Sequence, residues 1–427
     1  MAFLLWRQPG DTAGQDSGGV SRYPSAMETA PAPHLPATFG ALLAPFDRER
    51  FLADHYGRKA LHLPGPQGRF ERLLGWQGLD ELLAQTSLWS NHSVAMAISG
   101  QSLTPEQFCT WGKNRLGDRV RVPDHAKVAG LLRQGATLVV DFIDRLDPAV
   151  RAIAEILEAV LLAPVTASAF ISWQRQQGYP VHFDTQEVFA LQVAGRKAWR
   201  LYSGRFEHPA ELKGYRASDL DPETKRAALG QVEMRVELAP GDLLYVPAGQ
   251  FHEALALEEA SLHVSFGVMR PTAHDFLTTL MEALPADPAF RKPLAPGDDL
   301  DQHGAWLAEL AQRLAAAVAN PAGAQELVQF QRAKAFERWG GLTVRDRRIV
   351  QRFRVRWPGA RLEGQSLTLP GRPAATLPPE AAQLAAWALP QDIVDERRIL
   401  PALAHLPQPV VVEAVRSLIA AGLLETL

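Results

Sequence analysis

Between Val165 and Val268 short apolar or alternating runs follow one another: Ala167 to Trp173, Val188 to Val193, Ala198 to Tyr202, Val232 to Leu238, Leu243 to Val246 and Ser261 to Val268. Turn signals separate them, at Gly178-Tyr179-Pro180, Ala194-Gly195, Pro240-Gly241-Asp242 and Pro247-Ala248-Gly249. Several short strands at this spacing predict an all-β sandwich or barrel. Upstream, Phe46, Phe51, Leu52 and Tyr56 fall at helical spacing with Asp47 placed to cap, and Ala60 to Pro64 reads as a short strand. Helices are predicted around Leu79 to Ala84 and Ala149 to Leu161, and a buried strand over Thr137 to Ile143. Beyond Pro271 the period changes. Trp306, Leu307, Leu310, Leu314, Ala317 and Val318 make a helical stripe. Arg352 to Trp357 alternates as a strand with one wet face should. Pro409 to Ala421 reads as a helix opened by proline and closed by Gly422.

The chain therefore divides into a tail over 1–36, rich in Gly, Ser, Pro and Ala and expected to be disordered, a β core with its approach over 37–270, a helical region over 271–338, and a mixed remainder over 339–427. A length of 427 residues is ample for several folded units. Composition is that of an ordinary globular chain, 47% hydrophobic and 21% charged. With Lys+Arg 44 against Asp+Glu 47 the net charge is -3, so any basic surface is local. The single cysteine, Cys109, excludes an internal disulfide and any cysteine-based zinc finger, leaving His, Asp and Glu as metal ligands. Without a secretion signal or a run approaching about 18 apolar residues, a cytoplasmic location with no membrane contact is expected.

His182-Phe183-Asp184 is the centre of the chemistry. In a strand, residues i and i+2 share a face, so His182 and Asp184 can aim at one point. A third ligand would complete a two-histidine, one-carboxylate triad, the arrangement of non-haem Fe(II) oxygenases. His252, after the turn Pro247 to Phe251, is the leading candidate; His263, eleven residues on, is its rival.

The run His182 to Tyr202 closely resembles the first metal segment of the JmjC-type cupin oxygenases, best in their ribosomal-oxygenase branch, and Gly241 to Glu253 resembles that branch's second metal segment. The resemblance is strong over about 165–270, recognisable at Phe51 to Leu63 and Gly135 to Asp144, and weak beyond 272. It implies a mainly β protein with α elements: a double-stranded β-helix core, a helical dimerisation segment and a C-terminal winged-helix-like domain. It also implies Fe(II), 2-oxoglutarate and dioxygen, and hydroxylation of an Arg or His side chain of a ribosomal protein by a homodimer. His182, Asp184 and His252 take the metal-ligand places, and Lys197 that of the basic residue pairing with the distal carboxylate of 2-oxoglutarate. Such a buried carboxylate needs a cation to offset its desolvation. Strand alternation lets only one of Arg196 and Lys197 point inward, and the register favours Lys197. His263 and Ser265, on one strand face, are read as pocket lining near the cosubstrate.

One departure from the branch stands out. Where a glycine-rich approach to the H-x-D is usual, this chain has the bulkier Gln176 to Val181. His55 and His62 are expected to be structural, and Trp199 to pack in the barrel core. Nine Lys or Arg lie between Arg332 and Arg356 against Glu337 and Asp346; a solvated face with intramolecular salt bridges is the favoured reading, contact with nucleic acid the other. Two further function classes remain: a non-enzymatic cupin and winged-helix scaffold, and a metal-dependent small-molecule cupin enzyme.

Overall fold

The computed structural model describes residues 35–173, 177–257, 260–293, 296–297, 299–319, 327–328, 330–331, 351–356 and 359–427. The expected tail over 1–36 falls almost wholly outside these residues, as does most of the basic run, 332–350.

All six runs predicted between Val165 and Val268 are strands, and they build two antiparallel sheets. The larger has eight strands in the order Leu61–Leu63, Leu243–Val246, Glu187–Ala194, Ala260–Val268, Val165–Trp173, Thr137–Val140, Val94–Ile98, Gln101–Ser102. The smaller sets Lys197–Arg205 between Val232–Leu238 and Gln250–Ala256. The last of these, which carries His252, went unread in the sequence as a strand.

The period-2 pattern of each strand decides what it faces. Leu262, Val264, Phe266 and Val268 are fully buried in the main apolar cluster, together with Ala167, Ala169, Ile171, Phe189 and Leu191. The helix Pro148–Leu161 contributes Val150, Ile153, Ala154 and Leu157 to the same cluster. Asp147 caps that helix, accepting from Ala149 N and Val150 N at 2.8 Å each. Residues one step out of phase, His263, Ser265, Ser168 and Phe170, line a cavity on the other face. Between the sheets, Val188, Ala190, Trp199, Leu201, Leu244 and Val246 form a smaller apolar cluster. The large sheet is thus sealed on one side and chemically equipped on the other.

Downstream, the helices Ala273–Ala283 and Leu300–Val318 occupy the region expected to be helical. The C-terminal part builds a separate core around Phe353, Leu367, Leu384, Val394 and Leu418. Of its two three-stranded sheets among the described residues, one places Arg352–Val355 between Ile393–Asp395 and Leu424–Thr426, beside the helices Pro379–Ala388, Glu396–Ala402 and Gln408–Ala420. The wet face expected for Arg352 to Trp357 is corrected here. As a central strand it buries both Phe353 (1% exposed) and Arg354 (7%), and the Arg354 guanidinium lies 3.6 Å from Glu425. Arg352 makes a two-point pair with Glu155 at 2.8 and 2.6 Å, so the described end of the basic run is engaged within the chain. Among the described residues no helix is long and apolar enough to cross a membrane.

Candidate metal centre

His182 was expected within a strand. It forms instead an isolated bridge, exchanging two backbone hydrogen bonds with His252, N to O 3.1 Å and 2.8 Å. The ladder stops there for a local reason. Pro180 has no N–H to offer it, and the Asp184 carbonyl accepts from Gly249 N at 2.8 Å. Gly249 has φ +82, and a Cβ there would collide with the Phe206 carbonyl, so this turn requires glycine. The one bridge suffices to set three side chains on one point. Ligand atoms of His182, Asp184 and His252 all lie within 4.8 Å of one another, and they are the one such group among the described residues.

The imidazoles are oriented from behind. His182 Nδ1 contacts the Pro180 carbonyl at 2.8 Å and His252 Nδ1 the Gln250 carbonyl at 3.0 Å. Donation of Nδ1–H to backbone fixes the tautomer that leaves Nε2 free to ligate. The Asp184 carboxylate sits between them, Oδ1 3.7 Å from His182 Nε2 and Oδ2 3.4 Å from His252 Nε2. Burial favours the neutral carboxyl, but the His252 hydrogen bond and both imidazoles outweigh it and hold the Asp184 pKa at about 2. Burial pushes the His182 pKa down, whereas contact with Asp184 outweighs burial at His252 and lifts it. Two neutral-capable imidazoles and an ionised carboxylate fit a divalent cation such as Fe(II).

The same cavity, about 140 Å³, is also lined by Lys197, His263 and Ser265, so all six predicted residues converge on it. One water needs ~10–15 Å³, so a small dicarboxylate has room. Lys197 points inward and is 4% exposed, while Arg196 turns outward to pair with Glu237. The Lys197 ammonium lies 3.2 Å from Ser172 Oγ and 3.4 Å from His263 Nδ1, and Ser172 in turn meets Thr137 Oγ1 at 2.9 Å. Among the described residues no carboxylate pairs with it. Burial alone drives its pKa down to about 7. His263 therefore belongs to the lysine end: it stacks on Phe170 (4.8 Å between centroids, 11°) and stands outside the triad. Its pKa falls well below the usual histidine value through burial and the neighbouring Lys197 charge. Trp199 packs as expected, 5% exposed with its ring 5.7 Å from that of His252. His62 contacts Asp242 at 3.1 Å and His55 the Lys59 carbonyl at 3.2 Å, away from the cavity.

Three features escaped the sequence. Ser172 and Thr137 floor the lysine end, and their only signal was their place in apolar strands. Glu253, next to His252, collects Tyr202 Oη (2.8 Å), Arg200 Nη1 (3.1 Å) and Gln177 Nε2 (2.8 Å), tying the approach to His182 onto the His252 strand. Gln186 lines the cavity opposite Gly267, where a Cβ would collide with its amide.

Residues 143–276 match the model of the JmjC domain, a span that holds the triad and Lys197. The chain carries a JmjC domain. The chain is 26% identical over 296 residues to the bifunctional lysine-specific demethylase and histidyl-hydroxylase NO66 of Drosophila persimilis, covering 65% of this chain and 38% of that protein. With human ribosomal oxygenase 1 it shares 34% over 146 residues, 33% of this chain and 22% of that protein. It spans well under half the length of these curated relatives. The X-ray structure of E. coli ycfD has the same fold, with a TM-score of 0.50 at 16% identity, covering 90% of this chain and 98% of that one.

Proposed function

We propose that this JmjC protein is an Fe(II)- and 2-oxoglutarate-dependent oxygenase that hydroxylates an Arg or His side chain of a ribosomal protein. One observation carries the reading: a buried lysine without a carboxylate partner among the described residues shares a cavity with a two-histidine, one-carboxylate triad. His182, Asp184 and His252 would hold the metal, and Lys197 would receive the distal carboxylate of 2-oxoglutarate, with His263 and Ser265 lining its site. When bound, iron and cosubstrate supply oxidative decarboxylation to succinate and carbon dioxide, and the transfer of one atom of dioxygen into a C–H bond. The chain's part is to fix both imidazoles through Nδ1 and to neutralise the dicarboxylate. The activities named for two relatives, a histidyl-hydroxylase and a ribosomal oxygenase, support the substrate class.

The proposed organisation is a JmjC cupin over 37–270, a dimerisation region over 271–338 and a winged-helix-like domain over 339–427. Leu277, Met281, Leu300, Leu307 and Val318 are all exposed on the two helices after Pro271, which supports a homodimer. A single buried cysteine accords with a cytoplasmic protein.

Anaerobic titration with Fe(II) and 2-oxoglutarate should give a charge-transfer absorption; its absence would favour a scaffold. Incubation in air with ribosomal proteins should then yield succinate and a mass gain of one oxygen on a target peptide. Turnover that ignores 2-oxoglutarate, or survives Lys197→Ala, would instead indicate a small-molecule cupin enzyme.

A further inference from the structure

Outside both large sheets, Cys109–Lys113 and Arg119–Pro123 form a two-stranded antiparallel ribbon of their own. Its register pairs Trp111 with Arg121 and Lys113 with Arg119, so alternation puts these four side chains on one face. Trp111 is 52% exposed, and the guanidinium carbons of Arg121 and Arg119 lie 4.3 and 4.5 Å from its ring centroid. The tip adds Arg115 and Leu116, the latter 78% exposed. Over 109–123 the chain carries Lys113, Arg115, Arg119 and Arg121 against a single acid, Asp118. The Asn114 amide holds that acid in the turn: Nδ2 donates to Asp118 Oδ2 at 3.1 Å, and Oδ1 accepts from Leu116 N and Asp118 N.

The ribbon is held firmly at its root. Phe108 and Cys109 are buried, and Lys127 Nζ donates to the Cys109 carbonyl at 2.9 Å. On its other face Gly112 lets Val122 lie across the backbone, where a Cβ would stand 2.6 Å from Val122 Cγ2. Glu106 contacts one of the four cations, Arg121, at 3.0 Å.

Two features cost stability, offset only in part by the two guanidinium contacts on the indole. Like charges directly opposite in a ladder repel, as Lys113 and Arg119 do, and a large indole is left half in water inside a chain of net charge -3. A flat aromatic flanked by cations is what a nucleotide strand requires, one surface for the π-face of a base and charges for the phosphates on either side. An acidic peptide would use the cations and leave the indole idle. We propose that this ribbon binds single-stranded nucleic acid, with Trp111 as the stacking platform and Lys113, Arg115, Arg119 and Arg121 as phosphate contacts. It does not rest on the metal centre.

The test uses the full chain and fluorescence anisotropy of end-labelled 12-mers of uridylate and thymidylate. Trp111→Ala should weaken binding about tenfold, and Trp111→Phe, which keeps a π-face, should stay within about threefold of the parent. Lys113→Gln with Arg119→Gln should lower the slope of log affinity against log salt by about 1.4, at ~0.7 per phosphate contact on a single strand. Tighter binding of uridylate assigns the partner as RNA, and equal binding assigns any single strand; either sustains the proposal. Affinity indifferent to both the alanine and the glutamine variants overturns it. So does loss of binding to polyglutamate or anionic vesicles in the same proportion as loss of oligonucleotide binding. Should Trp111→Ala lower the melting temperature, the Trp111→Phe and double glutamine variants decide the matter alone.

Discussion

The two ends of the JmjC cavity are built on opposite electrostatic principles. At the triad end the charge is compensated from within: Asp184 lies between two imidazoles whose far nitrogens are fixed to backbone carbonyls. At the other end Lys197 has hydroxyls and a histidine for company and, among the described residues, no carboxylate. A buried cation so placed is a standing cost in the ligand-free protein. The difference teaches that the triad end is prebuilt, whereas the lysine end, on the proposed function, would be completed by an anion from outside.

The largest expected effect strikes the prebuilt end. Asp184→Ala should lower Mn(II) affinity by more than ~100-fold, since even residues behind the ligands carry about 10–100-fold; electron paramagnetic resonance of free Mn(II) measures it. His263→Ala should leave that affinity within about threefold, and a comparable loss there would merge the two ends. Next, Lys197→Met should weaken 2-oxoglutarate by at least ~30-fold, from the ~2–5 kcal/mol of truncating one side of a buried charged pair. The same change should raise the melting temperature of the ligand-free protein by a few degrees, because it removes a buried, uncompensated charge. Opposite signs in one variant would be hard to obtain from general damage.

Third is the pH dependence of the lysine end, where Lys197 faces Ser172, Thr137 and His263. Its pKa is lowered to about 7 from 10.5 by burial. Between those values the unfolded chain binds more protons, so the stability of the ligand-free protein rises with pH across that window, and the penalty is fully present below it. A dicarboxylate restores the charge, so binding above pH 7 should take up a proton and weaken by up to about tenfold per unit. Calorimetry in two buffers of different ionisation enthalpy reads the proton directly; no uptake at pH 8 would mean Lys197 is already charged. The smallest effect is expected at Glu253, whose alanine variant should cost up to about tenfold in Mn(II) affinity by loosening Gln177 from the His252 strand.

The metal end was the more legible of the two. His182 and Asp184 stand two residues apart, and His252 follows a Pro-Ala-Gly turn, so the pattern survives in one dimension even though His182 forms a bridge where a strand was expected. Lys197 could be read because Arg196 beside it must point the other way. Ser172, Thr137 and Glu253 could not, since their partners lie 25, 35 and 51–76 residues distant and nothing in an apolar strand marks which hydroxyl will meet an ammonium. The Trp111 ribbon was missed because Lys113, Arg119 and Arg121 look like ordinary surface charge until the register sets them on one face with an indole.

Local spacing therefore determined the strands, most helices and which side chains could ligate a metal, because side-chain alternation and turn chemistry act over a few residues. Tertiary structure decided the rest. It chose His252 over His263, set a lysine where no acid among the described residues reaches it, and buried Arg354 in a strand that alternation had marked as half wet. Each of those outcomes depends on which distant strand lies alongside, and burial, with the charge balance it imposes, exists only once the sheets have closed.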